Sequence, residues 1–296
     1  MGQKAWFLQN TSSLAGKTVA ISGATGGLGK PLCKSLALLG ASLILLDRNA
    51  SRSKALADEL SFEFPNLTVK RIPLDLEQID SVKTCAERLL HEPVDALILN
   101  AGAYRIDRHP CKGGYDNVFM INFASPYYLA KKLLPKLEER GGRLVVVGSI
   151  AHSYSKSDPD DVDFVTRQKH SLCYGNAKRH LMYASYRLCE EKRLLSVTHP
   201  GIAVTNITSH YPKAVYALIK YPMKVIFMSP KKASLSILKG LFDTTDEAEW
   251  IGPRFFSVWG LPKKKRLNGY DKEEASRLFA KAEEIFSELE ALPRGE

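Results

Sequence analysis

Cysteine is scarce in this chain and poorly placed for joint chemistry. Cys33, Cys85, Cys111, Cys173 and Cys189 are scattered through 296 residues with no Cys-x-x-Cys pair, which excludes a thioredoxin-type motif, a zinc ribbon or a disulfide-stapled scaffold. Reduced, mostly buried thiols are expected, Cys173 included, because a small apolar residue at a helix start accounts for it without a redox role. Linker-like tracts rich in Pro, Gly or Ser are missing, as are repeats and low complexity. One domain over 1–296 is therefore expected, with its core at about 17–208 and a lid region and extension over 209–296. Apolar runs long enough to cross a bilayer are also lacking, since Tyr211 to Met228 is broken by Pro212 and Pro222. The first residues, Met1-Gly2-Gln3-Lys4-Ala5-Trp6-Phe7, carry no long apolar stretch and no small-residue cleavage site, so no secretory signal is read and a cytoplasmic location is expected.

Acidic residues are outnumbered, 32 against 42 Lys and Arg, for a net charge of +10. The excess is local: Gly201 to Arg266 holds 11 cations and 4 anions. No aromatic RNA platform or zinc-finger spacing accompanies it, so nucleic acid is not expected as a partner. An anionic cofactor or a membrane surface suits it better. Pro262-Lys263-Lys264-Lys265-Arg266 reads as a solvated basic loop rather than a nuclear address.

What is present is an alternation. Short, nearly all-apolar runs at Thr18 to Ser22, Ser42 to Leu46, Thr68 to Ile72, Ala96 to Asn100 and Arg143 to Val147 are separated by helical patterns at Leu28 to Leu39, Ser53 to Leu60, Glu77 to Leu90, Ala124 to Glu139 and Ala177 to Lys192. Strands that do not alternate polar and apolar residues are covered on both faces. The pattern predicts an α/β, doubly wound Rossmann fold with a mainly parallel sheet. Leu195 to His199 is expected as a sixth strand, and Trp250 to Ile251 with Phe255 to Val258 as an edge strand. Asp271 to Leu292 predicts a terminal amphipathic helix, a C-terminal extension packing on the domain or on a second copy.

A turn made of Gly23-Ala24-Thr25-Gly26-Gly27-Leu28-Gly29 joins the first strand to the first crossover helix. Glycines let a phosphate approach the backbone, and amides at the helix N-terminus meet its charge. The spacing of Gly23, Gly27 and Gly29 is G-x-x-x-G-x-G, not G-x-G-x-x-G. It resembles the short-chain dehydrogenase/reductase superfamily. That resemblance implies a nicotinamide dinucleotide along Thr25, Gly26 and Leu28 as well. Asp47, at the end of the second strand, lies where an acidic residue accepts the adenosine ribose hydroxyls and repels an extra phosphate; the adjacent Arg48 pulls the other way, towards NADP. NAD is favoured, with NADP as the alternative. Asp75 in Leu74-Asp75-Leu76 matches the superfamily position that meets the adenine amino group, and Asn100-Ala101-Gly102 matches its Asn-Ala-Gly element. Asp75 would equally cap a helix beginning near Glu77, and Asn100 would equally close a turn.

Tyr-x-x-x-Lys, the spacing of a helical proton donor and its cation, occurs four times: Tyr127/Lys131, Tyr128/Lys132, Tyr174/Lys178 and Tyr216/Lys220. Only Tyr174/Lys178 falls between a strand ending in Gly148-Ser149 and His199-Pro200-Gly201. Four residues put both groups on one helical face, where Lys178 is expected to lower the phenol pKa from its usual value. The resemblance implies that Tyr174 transfers the proton, Ser149 binds the substrate oxygen, Lys178 holds the nicotinamide ribose, and Asn122 completes a water-linked relay. It likewise places Pro200, Gly201, Ile202 and Thr205 against the nicotinamide and phosphates. His199 is expected to pack behind the Pro-Gly turn, not to catalyse.

The interval from Ser149 to Tyr174 is long, and with Ile150-Ala151-His152 and His199-Pro200-Gly201 it resembles the retinol-dehydrogenase-like branch. Asp158, Asp160, Asp161 and Asp163 within it read as a solvated loop; no metal site is expected, as no His pair has ligand spacing. Branch members commonly favour the phosphorylated cofactor, which Asp47 disfavours. The apolar residues of Tyr211 to Met228 imply a lid over a lipophilic alcohol, aldehyde or ketone, and the interleaved Lys213, Lys220, Lys224, Lys231 and Lys232 suit peripheral contact with anionic lipid. A homo-oligomer is compatible with the resemblance. Two other classes stay open: a dinucleotide-sensing regulator without turnover, and a membrane-surface scaffold.

Overall fold

The computed structural model describes residues 2–202 and 228–295. Among them, eight strands form one sheet: β1 (Thr18–Ser22), β2 (Ser42–Asp47), β3 (Val69–Pro73), β4 (Ala96–Leu99), β5 (Arg143–Val147), β6 (Leu195–Thr198), β7 (Glu249–Phe255) and β8 (Trp259–Arg266). Their order is β3-β2-β1-β4-β5-β6-β7-β8. All neighbours run parallel except β7 and β8, an antiparallel hairpin at the edge. The order reverses between β1 and β4, which opens a crevice at their carboxyl ends.

Residue alternation along the strands feeds two cores. Val19, Ile21, Leu43 and Leu45 face a layer built from α1 (Gln3–Asn10), α2 (Gly29–Leu38), α3 (Ala50–Glu63) and α7 (Pro230–Lys239). Ala20, Ile44 and Leu46 face α4 (Ile79–Leu90), α5 (Ser125–Glu139), α6 (His170–Leu188) and α8 (Lys272–Ala291). Both faces being covered explains the nearly unbroken apolar runs of β1, β2, β4 and β5; β3, at the sheet edge, departs from the expectation, with Lys70, Arg71 and Pro73 exposed. A helical turn at Asn117–Phe119 and a π-helical turn at Met120–Ala124 lead into α5. No helix among the described residues is long and apolar enough to cross a membrane.

The C-terminal helix docks through the apolar stripe Ala275, Leu278, Ala282, Ile285 and Leu289. Two of the four Tyr-x-x-x-Lys pairs serve that docking. Tyr127 donates to Glu283 at 2.6 Å and Lys131 pairs with the same carboxylate; Tyr128 bonds Glu290, which Lys132 meets at 3.0 Å. Burial and the accepting carboxylates push both phenols well above their ordinary pKa, and both hydroxyls are engaged by glutamates of α8. Tyr216/Lys220 lies outside the described residues.

Four local expectations are corrected. The basic run Pro262 to Arg266 is not a loop but most of β8, and Phe255 to Val258 is mainly the hairpin turn, not a strand. An edge strand needs only one hydrogen-bonded side, so Pro262 and consecutive lysines are tolerated there. The helix bearing Tyr174 begins at His170 rather than Ala177. Nor is the 152–170 segment simply solvated. Asp163 is buried and accepts the Asp116 N–H at 2.9 Å, and Asp161 is buried against Thr166; a segment too long to leave unpaired supplies its own acceptors.

Candidate active site

The glycine turn lies at the end of β1. Gly23 adopts φ +67° and sits so close to Ala101 that a Cβ would come 3.0 Å from its Cα, while a Cβ at Gly29 would overlap the Gly23 carbonyl. Side chains are thus excluded on both sides of the turn, and the N-terminus of α2 opens onto the crevice. Asn100 braces the turn: its Nδ2 donates to the carbonyls of Ser22 (2.9 Å) and Gly23 (3.1 Å). Ser22 Oγ in return accepts from the amides of Asn100 and Ala101, both at 3.0 Å. Ser22 escaped the sequence reading; a lone strand-end serine carries no signal until its neighbours are known.

Asp47 is 6% exposed, and its Oδ1 accepts from the Thr25 amide (3.0 Å) and hydroxyl (2.9 Å). Its Oδ2 and the Asn100 Oδ1 are buried without a hydrogen-bond partner among the described residues. Buried acceptors left in this state carry a desolvation cost that a donor from a bound molecule would remove. Arg48 pairs with Glu77 at 2.8 Å and lies 4.0 Å from Asp75, all three along the cavity wall. Asp75 accepts the Glu77 amide at 3.1 Å, closing a turn ahead of α4 rather than capping that helix, which starts at Ile79. Arg52, one turn into α3, also lines the crevice; its role needs the fold to be seen.

One cavity of about 1020 Å³ runs from this end to the second group of residues. Gly23, Thr25, Gly26, Gly27, Leu28, Asp47, Arg48, Asp75, Leu76, Asn100, Ala101 and Gly102 line one part of it. Ser149, Tyr174, Lys178, Pro200, Gly201 and Ile202 line the other, and Thr205 lies outside the described residues. Tyr104, Ile106, Ile150 and Tyr154 complete the wall. These were missed because nothing in a loop sequence says which way it folds. Tyr104 meets Tyr174 edge to face, with centroids 5.3 Å apart.

Lys178 is buried, and its ammonium donates to the Val147 carbonyl at 3.0 Å. Burial pushes its pKa down to about 8. The Tyr174 phenol is pushed up to about 12 by burial, with the Ser149 hydroxyl opposing the rise. Burial is the largest cause of that rise, and the contribution that opposes it comes from Ser149 rather than from Lys178. Ser149 is extended at the end of β5 and accepts the Ala151 amide at 3.2 Å. Asn122, in the π-helical turn, donates to the carbonyls of Ala103 (2.9 Å) and Val118 (2.8 Å) and accepts the Ala103 amide at 3.1 Å. A Cβ on Gly102 would lie 2.8 Å from Asn122 Oδ1 and 3.5 Å from Lys178 Nζ, so both groups converge on that glycine.

His199 is buried and stacks on Trp250 with centroids 5.0 Å apart; burial drives its pKa down to about 3. The neutral ring stacks on Trp250 of β7 and forms part of the cavity wall. Behind it Gly201 takes φ +78°, where a Cβ would come 2.6 Å from the Val258 carbonyl and from Met228 Cε. Burial also raises every cysteine pKa, Cys173 included, so none is an activated thiol.

Against known proteins, the family model described as short chain dehydrogenase matches residues 17–157, the stretch from β1 past β5. A short chain dehydrogenase of Aspergillus sclerotiorum is 39% identical over 48% of this chain and 44% of its own length. Human retinol dehydrogenase 13 is 30% identical over 67% of this chain and 62% of its own length; the chain thus matches less than two thirds of either relative. A crystal structure of an uncharacterized protein from Mycobacterium paratuberculosis superposes with a TM-score of 0.73 at 24% identity, covering 94% of this chain and 96% of that one, which shows the fold. With the strand order, the glycine turn and these likenesses agreeing, the chain is similar to short-chain dehydrogenases over its β1 to β5 part and resembles the retinol dehydrogenases among them.

Proposed function

We propose that this chain is a nicotinamide-dinucleotide-dependent oxidoreductase that interconverts a lipophilic alcohol and its carbonyl compound, with Tyr174 as general acid and base. The observation carrying this reading is that one cavity joins the glycine turn and Asp47 at one end to Ser149, Tyr174 and Lys178 at the other. The bare turn and the unpartnered buried acceptors of Asp47 and Asn100 fit a dinucleotide. That group, when bound, supplies or accepts the hydride.

The amides between Gly23 and Gly29 would hold the phosphates, and Asp47 Oδ2 would accept from the adenosine ribose. In the reducing direction, the Tyr174 hydroxyl gives its proton to the substrate carbonyl oxygen while Ser149 donates a hydrogen bond to the same atom. A phenol held near 12 keeps its proton until that oxygen becomes basic. Lys178 holds a ribose hydroxyl and stabilises the phenolate left behind. Both side-chain donors of Asn122 are engaged by Ala103 and Val118, so its part is to set the Gly102 turn against Lys178. Tyr104, Ile106, Ile150 and Tyr154 give the substrate end an apolar wall. NAD is the favoured cofactor, because the buried Asp47 carboxylate keeps one oxygen without a partner among the described residues beside the cavity, where it would accept from a ribose hydroxyl and repel an extra phosphate.

Titrating the protein with NADH and NADPH, following nicotinamide fluorescence, tests this directly. Tighter NADH binding is expected, and Asp47→Ser should shift the ratio towards NADPH by about tenfold. Absence of binding by either dinucleotide would overturn the reading.

A further inference from the structure

The tip of the β7–β8 hairpin exposes what the rest of the fold conceals. Phe256 is 96% exposed, Phe255 51% and Trp259 45%. The turn closes with a 3.0 Å bond from the Val258 amide to the Phe255 carbonyl, and its two central residues, Phe256 and Ser257, have φ of +50° and +57°. Two left-handed residues mark the hairpin turn that normally takes Asn-Gly. A bulky phenylalanine is unfavourable there, so folding alone gives no reason for it. Lys265 holds the turn in place, donating to the Pro253 carbonyl (2.6 Å) and to Ser257 Oγ (2.8 Å).

Cations surround the aromatic tip. Lys232 lies 3.7 Å from the Trp259 ring centre, beside exposed Lys231; Arg254 packs over Phe255, and Lys263 is exposed on β8. Trp250 to Arg266 contains no Asp or Glu. Aromatics at an apex ringed by positive charge match the polarity of an anionic bilayer, with apolar rings reaching the acyl boundary and cations at the phosphates.

We propose that this hairpin tip is a peripheral docking element for an anionic membrane surface. The tip adjoins the cavity: the Ile202 amide approaches the Val258 carbonyl at 3.4 Å, and Ile202 lines the cavity wall. Docking would therefore turn the cavity's entrance towards lipid. The benefit to a lipophilic substrate rests on the oxidoreductase reading; the docking itself does not.

The test is cosedimentation of the full chain with vesicles of pure phosphatidylcholine and of phosphatidylcholine with one-fifth phosphatidylserine. Binding to the anionic vesicles is expected, falling as salt is raised. A blue shift of tryptophan emission should accompany it, since Trp6 and Trp250 are buried and Trp259 is exposed. The double variant Phe255→Ser/Phe256→Ser should weaken partition by at least about tenfold, as should Arg254→Glu/Lys263→Glu. Unchanged NADH affinity in each variant would show that the fold and cavity are intact. Partition equal to the parent in both variants, or none to anionic vesicles, would overturn the proposal. So would conversion of a dimer to a monomer by Phe255→Ser/Phe256→Ser with vesicle binding unchanged, which would assign the tip to a second copy.

Discussion

Two helices of this protein carry the same spacing and do opposite things with it. On α5, Tyr127/Lys131 and Tyr128/Lys132 each close on one glutamate of α8. On α6, Tyr174 and Lys178 face a cavity, and Lys178 meets only a strand-end carbonyl, that of Val147, among the hydrogen bonds described. A phenol and an ammonium four residues apart are a chemical opportunity. What lies opposite decides whether they close a clamp or face a cavity.

The largest expected difference lies in turnover. Tyr174→Phe should lower kcat for carbonyl reduction by about a thousandfold and leave dinucleotide affinity within about twofold. Tyr127→Phe and Tyr128→Phe should leave kcat unchanged. Steady-state kinetics on the three variants would undo the contrast if an α5 variant lost as much activity as Tyr174→Phe.

Stability separates the regions next. On α6, Arg179 and Glu274 form a buried pair, and Glu274 also accepts from the Ser157 amide and hydroxyl. Removing its charge should cost about 3 kcal/mol, because Arg179 would stay buried and unpaired. The half-exposed Glu290 clamp on α5 should cost under about 1 kcal/mol when changed to Gln. The bonds to Arg179 and Ser157 hold Glu274 at about 2, against an ordinary value of 4.5, despite its burial. A depressed acid stabilises the fold above its unfolded pKa, so that contribution is complete above about pH 4.5 and is lost as pH falls towards 2. Urea titrations at pH 6 and pH 3 should show the parent losing this increment and Glu274→Gln losing less; parallel losses would assign acid sensitivity elsewhere.

The smallest effect is a titration. Lys178, brought to about 8 by burial, is charged below that pH and neutral above it. For reduction, kcat/KM should decline by up to tenfold per unit once pH passes about 8. A flat profile from pH 7 to pH 9.5 would show that Lys178 acts without its charge.

Much of this was readable beforehand, for reasons that differ by region. The parallel sheet followed from runs such as Leu43 to Leu46, since a strand buried on both faces has no polar side to show. The glycine turn was legible because backbone geometry permits few residues at Gly23 and Gly29. The hairpin was misread: β8 looks like a loop because an edge strand can carry Pro262 and four successive cations without cost to a core. Ser22, Arg52, Tyr104 and Tyr154 gave no signal, since their partners lie far away in sequence.

The sequence by itself determined the strand and helix alternation and the glycine turn after β1, because these depend on local conformational limits and on order along the chain. Tertiary structure alone decided that burial favours the neutral forms of both Lys178 and Tyr174, that Asp47 keeps one oxygen without a partner among the described residues, and that Phe256 is left in solvent. Those properties depend on desolvation and on partners dozens of residues distant, which no local pattern encodes.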